Sequence, residues 1–564
     1  MPAKNPRLAA ALALALSLIV AAPTSALQPP DLHTVDLVPG SDGSYAAHFT
    51  HMGAWDYFYA YESGHQGLWR TNGATTELVT DQVEVASYNS YYRHPDQTFA
   101  VLGTYLYFAG STAAEGQELW RTDGVNTELV KNIAPGTANG VSPVFKKLGA
   151  YVYFSGGTTA TGLELWRTNG SSTSLVKEIE PGTADSNPYG FFEFNGKLYF
   201  SAFTTLHGAE LWRTDGTSAG TVEFDLAPGA ANSFPGDFTI FQNRMFFLAG
   251  SDYFHLWYAT GDSVSEFPYT PNDVHDLTVM GSSLYFAASD IDHGRELWVT
   301  TGDLTDPAGT SMLKDIWEGS QGSFPMYLTA MGSRLYFTAY LDDTGRELWS
   351  TNGLPLGTSM VADLHTQSTM PGENPNSDPK DLTVFAGSLY LHAITDVGPQ
   401  LIRVDSASSF AVQTVTPLPD AGLFSEFMQR RLTVSGDKLY VQINAPGAGQ
   451  EYAWMQAPAA PASVAAPVIT GTAKVGKVLT GARGSWSGVP SAITSAQWYR
   501  CSAAGTTTPA TSSLSGCVAI SGATKATYKA VTADKGKYLR LRVTAKNESG
   551  TVYRWSKATG KIAP

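Results

Sequence analysis

Glu118-Leu119-Trp120-Arg121-Thr122-Asp123-Gly124 sits inside GTYLYFAGSTAAEGQELWRTDGVNTELVKNIAPG, residues 103–136, and the neighbouring chain repeats it. GAYVYFSGGTTATGLELWRTNGSSTSLVKEIEPG fills 149–182, and GKLYFSAFTTLHGAELWRTDGTSAGTVEFDLAPG fills 196–229. Self-similarity at a period of roughly 20–50 residues marks an array of like units and decides the fold before any single residue is considered. Working outward, the central aromatic of the Leu-Tyr-Phe-like tripeptide recurs at Tyr57, Tyr107, Tyr153, Tyr199, Phe246, Tyr285, Tyr336, Tyr390 and Tyr440. Successive spacings run from 39 to 54 residues, which gives nine units.

Each unit reads as four short strands. In the sixth, Leu277 to Met280, Leu284 to Ala288, Glu296 to Thr300 and Ser311 to Ile316 are rich in apolar, β-branched and aromatic residues, with Gly-containing turns between them. Asn72-Gly73, Asp123-Gly124, Asn169-Gly170, Asp215-Gly216 and Asn352-Gly353 follow the third strand, the strongest short hairpin signal. No 3.6-residue periodicity marks a helix in the chain beyond residue 26. Four antiparallel strands in about 45 residues is the size of one propeller blade, and a lone blade leaves both faces wet, so the units must pack in a ring. His33 to Leu37 matches the fourth strand of other units, whereas the last unit has three strands, so the N-terminal segment is predicted to complete it. The predicted fold is therefore all-β, a β-propeller of seven to nine blades. The count stays open because Gln400-Leu401-Ile402 and Glu451-Tyr452-Ala453-Trp454 replace Glu-Leu-Trp in the last two units.

The repeated Glu-Leu-Trp-Arg-Thr-Asp-Gly, complete from Glu118 and Glu210 and varied from Gly67, Glu164, Glu296 and Glu347, resembles the bacterial family of ELWxxDGT-repeat proteins over residues 31–456. His255 departs from the pattern. The resemblance implies an extracellular or surface-associated protein and carries no catalytic residue. Residues 457–467 (APAAPASVAAP) read as an extended Ala/Pro linker. Beyond it, PVITGTAKVGKVLTGARGSWSG from Pro467, Trp498-Tyr499-Arg500-Cys501 and LRLRVTAKNESG from Leu539 resemble the immunoglobulin-like modules of exported actinobacterial proteins, implying a β-sandwich over 468–564. Cys501 and Cys517, the two cysteines of the chain, are expected to pair if the protein is exported.

Export is what the start of the chain predicts. Lys4 and Arg7 precede an apolar run from Leu8 to Ala22 and small residues to Ala26, the pattern of a signal peptide over 1–26. No later run approaches the roughly 20 apolar residues of a membrane span. The 564 residues carry 36 Lys+Arg against 50 Asp+Glu, but the charge is divided unevenly. From Val464 onward, 14 Lys+Arg face Asp534 and Glu548, a net of +12. The basic segment is expected to meet an anionic polymer of the cell wall or the acidic repeat; its scattered lysines and few aromatics disfavour nucleic acid.

Trp69, Trp120, Trp166, Trp212, Trp257, Trp298 and Trp349 recur at one strand position and are expected to pack between units rather than stack on sugars. Asp36, Glu178, Asp225, Asp315 and Asp363 close the fourth strands and are expected on the outer rim. The second-to-third turns and the linkers between units open on one end of the ring. That end gathers the candidate binding residues Asp185, His207, Asp273, His275, Asp290, Asp292, His293, Asp342 and Asp343, with Glu115 and Asn187 beside them. Carboxylates there could take Ca²⁺, although neither EF-hand nor nonapeptide spacing is present. No His-Glu-x-x-His, phosphate loop or dinucleotide fingerprint occurs. The leading expectation is a non-enzymatic binding or scaffolding protein with a glycan or protein ligand; the alternative is an extracellular carbohydrate-active enzyme using loop-end carboxylates.

Overall fold

The computed structural model describes residues 32–38, 43–62, 65–87, 97–269, 271–366, 375–405, 412–417, 432–445, 449–457, 459–489, 492–547 and 549–564. The signal-peptide reading lies outside them. Two compact units are present, one over Asp31–Ala457 and one containing Pro458–Pro564. No α-helix occurs among the described residues.

The larger unit is a succession of four-stranded antiparallel sheets, nine among the described residues. Sheets 1 to 9 begin with Ala47–Met52, Ala100–Leu102, Val141–Leu148, Tyr189–Phe194, Gly236–Phe241, Asn272–Met280, Met326–Met331, Lys380–Phe385 and Leu432–Ser435. Strands follow chain order in sheets 1 and 3 to 8. Sheet 2 adds the short strand Glu84–Val85. In sheet 9 the outermost strand is His33–Val35, paired antiparallel with the strand Gly449–Gln456 so that His33 faces Trp454 and Val35 faces Tyr452. The N-terminal segment thus supplies the strand that the last unit lacks, and it covers an edge that would otherwise offer free backbone groups.

Nine apolar clusters among the described residues each join two consecutive sheets. Tyr57 and Leu68 of sheet 1 meet Leu106 and Phe108 of sheet 2, and the pattern proceeds sheet by sheet to Tyr390 of sheet 8 with Leu439 of sheet 9. The ninth cluster combines Phe49, Phe58 and Trp69 of sheet 1 with Tyr440, Tyr452 and Trp454 of sheet 9. The sheets therefore make a closed circuit, consistent with a β-propeller. First strands are stitched laterally as well: Leu277 N–H donates to Asp237 Oδ2 (3.0 Å) and Tyr327 N–H to Asp276 Oδ2 (2.8 Å).

Each residue of the repeated string has a physical task. Leu119, Leu165, Leu211, Leu297 and Leu348 are fully buried. The tryptophan packs on the preceding sheet: Trp166 lies against the cluster of sheets 2 and 3, and Trp212, 6% exposed, is part of the cluster of sheets 3 and 4. That placement matches the packing expected of them. The arginine stacks on an aromatic, Arg121 over Tyr105 at 4.2 Å and Arg167 over Tyr151 at 4.2 Å. Arg121 also donates to the carbonyl of Gly170 in the next sheet's turn (3.0 Å). Thr122 and Thr168, both buried, accept the turn-glycine N–H groups of Gly124 and Gly170 at 3.0 Å. Gly170 has φ +87°, and a Cβ there would lie 2.5 Å from the Tyr107 hydroxyl.

In the smaller unit, a four-stranded sheet built on Ile493–Cys501 and Tyr538–Asn547 and a three-stranded sheet containing Val478–Ala482 enclose Leu479, Trp498, Leu539, Leu541 and Val543. The Cys501–Cys517 disulfide is formed. One expectation is corrected: Ala459–Ala465, read from its composition as linker, is a strand paired with Ser485–Val489. Its one proline falls where the pairing tolerates it, since Pro461 sits at a break in register between Ala459 and Ala462.

Candidate functional site

The end of the ring where linkers meet the second-to-third turns is organised by a row of buried acids. Glu118, Glu164, Glu210, Glu296, Glu347 and Glu451, the first residues of the repeated string, are each at most 1% exposed. Each receives hydrogen bonds from the linker that leads to the next sheet. Ile133 and Ala134 N–H donate to Glu118, Ile179 N–H to Glu164 (2.5 Å), and Leu226 N–H to Glu210 (2.8 Å). The hydroxyls of Ser186, Ser233, Ser323 and Ser377 donate to Glu164, Glu210, Glu296 and Glu347 at 2.5–2.8 Å. Burial raises all six carboxyls, Glu164 and Glu347 to about 7, against the opposing pull of those hydrogen bonds. The rim acids add to this: Glu178, Asp225 and Asp363 push up Glu164, Glu210 and Glu347 respectively. Sequence reasoning treated the recurring Glu as a spelling of the motif. The signal was available, since a carboxylate in an otherwise apolar strand must find partners once buried, and a serine follows it 22 to 30 positions later.

After the anchoring serine, the backbone turns left-handed. Tyr45, Asn187, Phe234, Phe324 and Asp378 have φ of 42–51° directly after Ser44, Ser186, Ser233, Ser323 and Ser377. Asp273 occupies this place in sheet 6 at φ 58°, but the residue before it is Asn272 and the anchor is missing, because sheet 5 carries His255 where six of the nine sheets carry Glu. A polar cluster fills the joint instead. Asp273 accepts from Arg295 Nη2 and lies 2.8 Å from His275 Nε2 through its other oxygen. Burial opposes the charge on Asp273, yet the Arg295 and His275 hydrogen bonds outweigh it and hold the carboxyl below its usual range. Arg295 further lies over the Phe324 ring of the next sheet at 5.7 Å, and His275 meets Phe254 edge-on. The first strand of sheet 6 breaks register twice, at Asn272/His275 and again at His275/Thr278, where the equivalent strands of sheets 4, 5, 7 and 8 break once.

The other candidate residues serve local structure. Asp290 accepts the N–H groups of Asp292 and His293 and pairs with His293 Nδ1 (2.9 Å), a locked turn. The Asp290 pair raises His293, and hydrogen bonding to Glu223 at 2.8 Å raises His207. Asp185 accepts Leu163 N–H (2.7 Å), as Asn232 accepts Ala209 N–H (2.8 Å) one sheet on. Glu115 accepts from Asn132 and Gly136, and Asn187 N–H donates to the Leu163 carbonyl. Asp342 and Asp343 are exposed in a turn. The structure thus joins Asp273 with His275, and Asp290 with Asp292 and His293, and leaves the rest apart. Among the described residues no group of three or more His, Cys, Asp or Glu is placed to hold a metal ion.

No family model and no curated relative matches the chain. Among solved structures it is similar to a prolyl endopeptidase (13% identity, TM-score 0.32, 65% of this chain and 55% of that one). It is similar also to a puromycin-hydrolysing peptidase of Mycobacterium tuberculosis (11%, 0.32, 67% and 61%) and to oligopeptidase B of Leishmania major (11%, 0.34, 72% and 54%). The chain thus spans between 54% and 61% of the length of these three proteins. All three are peptidases, and on that finding the expectation of a non-enzymatic binding or scaffolding protein is withdrawn; none is named for the carbohydrate activity held as the alternative. At such identities and TM-scores the likeness transfers no residue roles to this chain.

Gly216-Thr217-Ser218-Ala219-Gly220 spells the Gly-x-Ser-x-Gly of a nucleophile elbow. It forms the hairpin turn between Gly208–Thr214 and Val222–Phe224, with no helix after it, and Asp215 accepts Thr217 N–H there (2.8 Å). Ser218 is an exposed turn residue, not a strand-to-helix nucleophile.

Proposed function

We propose that the chain is an exported ring of the ELWxxDGT-repeat kind, a β-propeller closed by its N-terminal strand and followed by an immunoglobulin-like module. Its loop end holds a substrate at the joint between sheets 5 and 6. There His275 exchanges a proton with the bound molecule and Arg295 faces its polar or anionic group. The carrying observation is the Asp273 carboxylate, which holds His275 at 2.8 Å and Arg295 through its second oxygen. A carboxylate fixes an imidazole in one orientation and stabilises its protonated form, the arrangement that general acid–base catalysis requires. The twice-broken first strand of sheet 6 supports the assignment, since β-bulges re-aim side chains and gather next to active sites. The surrounding site keeps a third of the His275 side chain open to solvent (34%).

The test is a turnover screen of the full chain against chromogenic esters, peptides and glycosides across pH 5–9. The expected result is activity toward one class, lowered about 10²-fold or more by His275→Gln and also by Asp273→Asn, with unchanged melting. Turnover indifferent to both substitutions, or absent with every class, overturns the reading.

A further inference from the structure

The smaller unit has a positively charged corner that its own acids leave uncompensated. Three segments meet there through the backbone. Val475 N–H donates to the Ala563 carbonyl (3.0 Å), Gly536 N–H to that of Ile562 (2.9 Å), and Ile562 N–H to that of Lys537 (2.9 Å). Gly476 N–H donates to the Ala530 carbonyl (2.8 Å), and Ala530 N–H returns a bond to Lys477 (3.0 Å). These bonds knit residues 474–477, 529–537 and 561–563 together, and the corner carries Lys474, Lys477, Lys529, Lys535, Lys537 and Lys561, all exposed. The acid within it, Asp534, is fully buried. It accepts from Arg500 Nε (2.6 Å), the Tyr528 hydroxyl (2.9 Å) and Val531 N–H (2.8 Å). Among the described residues no carboxylate pairs with any of the six lysines.

We propose that this lysine corner is a docking surface for a linear phosphodiester polyanion. Segments joined by direct hydrogen bonds gather the six lysines on one patch, and like charges nearer than a Debye length, roughly 10 Å at 0.1 M salt, add their fields instead of being screened separately. Lysine presents a mobile point charge that meets phosphate oxygens without demanding one geometry, which suits a flexible repeating anion. Recognition of bases would need exposed rings, and the corner has none: Tyr528 is partly buried, with its ring 5.6 Å from that of Trp498. The surface is independent of the loop-end cluster.

The test measures binding of the full-length protein to fluorescent poly(glycerol phosphate), with duplex DNA and polygalacturonate of matched charge as further arms. Two variants remove equal charge: Lys474→Gln with Lys561→Gln at the corner, and Arg483→Gln with Lys546→Gln at the other end of the sandwich. Arg483 there donates to Thr494, whose strand partner Ala545 adjoins Lys546. Thermal melting establishes that both doubles are folded. The corner double should lose about tenfold or more in affinity for poly(glycerol phosphate) and show a shallower salt dependence, while the distal double changes by less than about twofold. Equal losses in both doubles, no loss in either, no binding by the parent protein, or tighter binding to DNA or polygalacturonate would each overturn the proposal.

Discussion

The Ser44 hydroxyl donates to the carboxylate of Glu451, 407 positions later in the chain, at 2.6 Å. Glu451 also accepts the N–H groups of Ser44 (3.1 Å) and Leu37 (3.2 Å). The hydroxyls of Ser186, Ser233, Ser323 and Ser377 make the same bond with the glutamates before them, so the two ends of the larger unit meet as sheets 3 and 4, 4 and 5, 6 and 7, and 7 and 8 do.

Ser44→Ala should therefore lower stability although it lies at the start of the chain. The Ser44 side chain is fully buried, and its loss strips one hydrogen bond from a buried acid at a cost of about 1–3 kcal/mol. Chemical denaturation checks it; an unchanged midpoint means that the seam is not closed in solution.

The raised glutamates make stability depend on pH in a stated direction. Between the ordinary value near 4.5 and the value of about 7 at Glu164 and Glu347, the folded chain holds protons that the unfolded chain has released. The slope of unfolding free energy with pH is negative there, so stability falls as pH climbs from about 4.5 to about 7. Glu164→Gln and Glu347→Gln should flatten that decline in melts taken across the interval, and a parent protein that gains stability over it contradicts the burial argument.

Trp212→Ala removes a side chain 6% exposed from the cluster between sheets 3 and 4. The expected cost is about 3–5 kcal/mol, read as a lower melting midpoint. Trp298, only partly buried, should cost less on the same replacement. Equal effects would separate the ranking from burial.

Gly170 and Gly149 distinguish two reasons for glycine. Both have positive φ, but a Cβ at Gly149 meets nothing within 4 Å, whereas one at Gly170 lies 2.5 Å from the Tyr107 hydroxyl and 2.7 Å from Arg121 Nη1. Gly149→Ala should cost only the backbone penalty of about 1 kcal/mol. Gly170→Ala should cost clearly more, because it also displaces the Arg121 contact between sheets. Matching melts would leave backbone conformation as the sole constraint.

The array was legible because its signals are local. The aromatic tripeptide locates strand two in every unit, the Thr-Asn-Gly or Thr-Asp-Gly turn closes strand three in five of the nine, and each sits within one hairpin. Closure was legible for the same reason, since His33–Val35 resembles other fourth strands residue by residue. What stayed hidden depends on distance. Glu164 and Ser186 are 22 positions apart, and only burial turns the pair from two polar residues into an anchor. The joint at Asp273 is harder still, because it is defined by a missing partner: His255 stands where a glutamate would, one sheet earlier. At Ala459–Ala465, composition described the chain's stiffness, and its pairing partners lie 20 to 30 residues further on.

The pairing of His33 with Trp454 sets an order of events during synthesis. The opening strand leaves the ribosome early and cannot find its partner until more than four hundred further residues have followed. Through that interval the nascent protein displays a bare β edge at one extremity and an incomplete sheet at the other, both inviting mispairing with a neighbouring copy. A prematurely terminated product has no way to retire either edge.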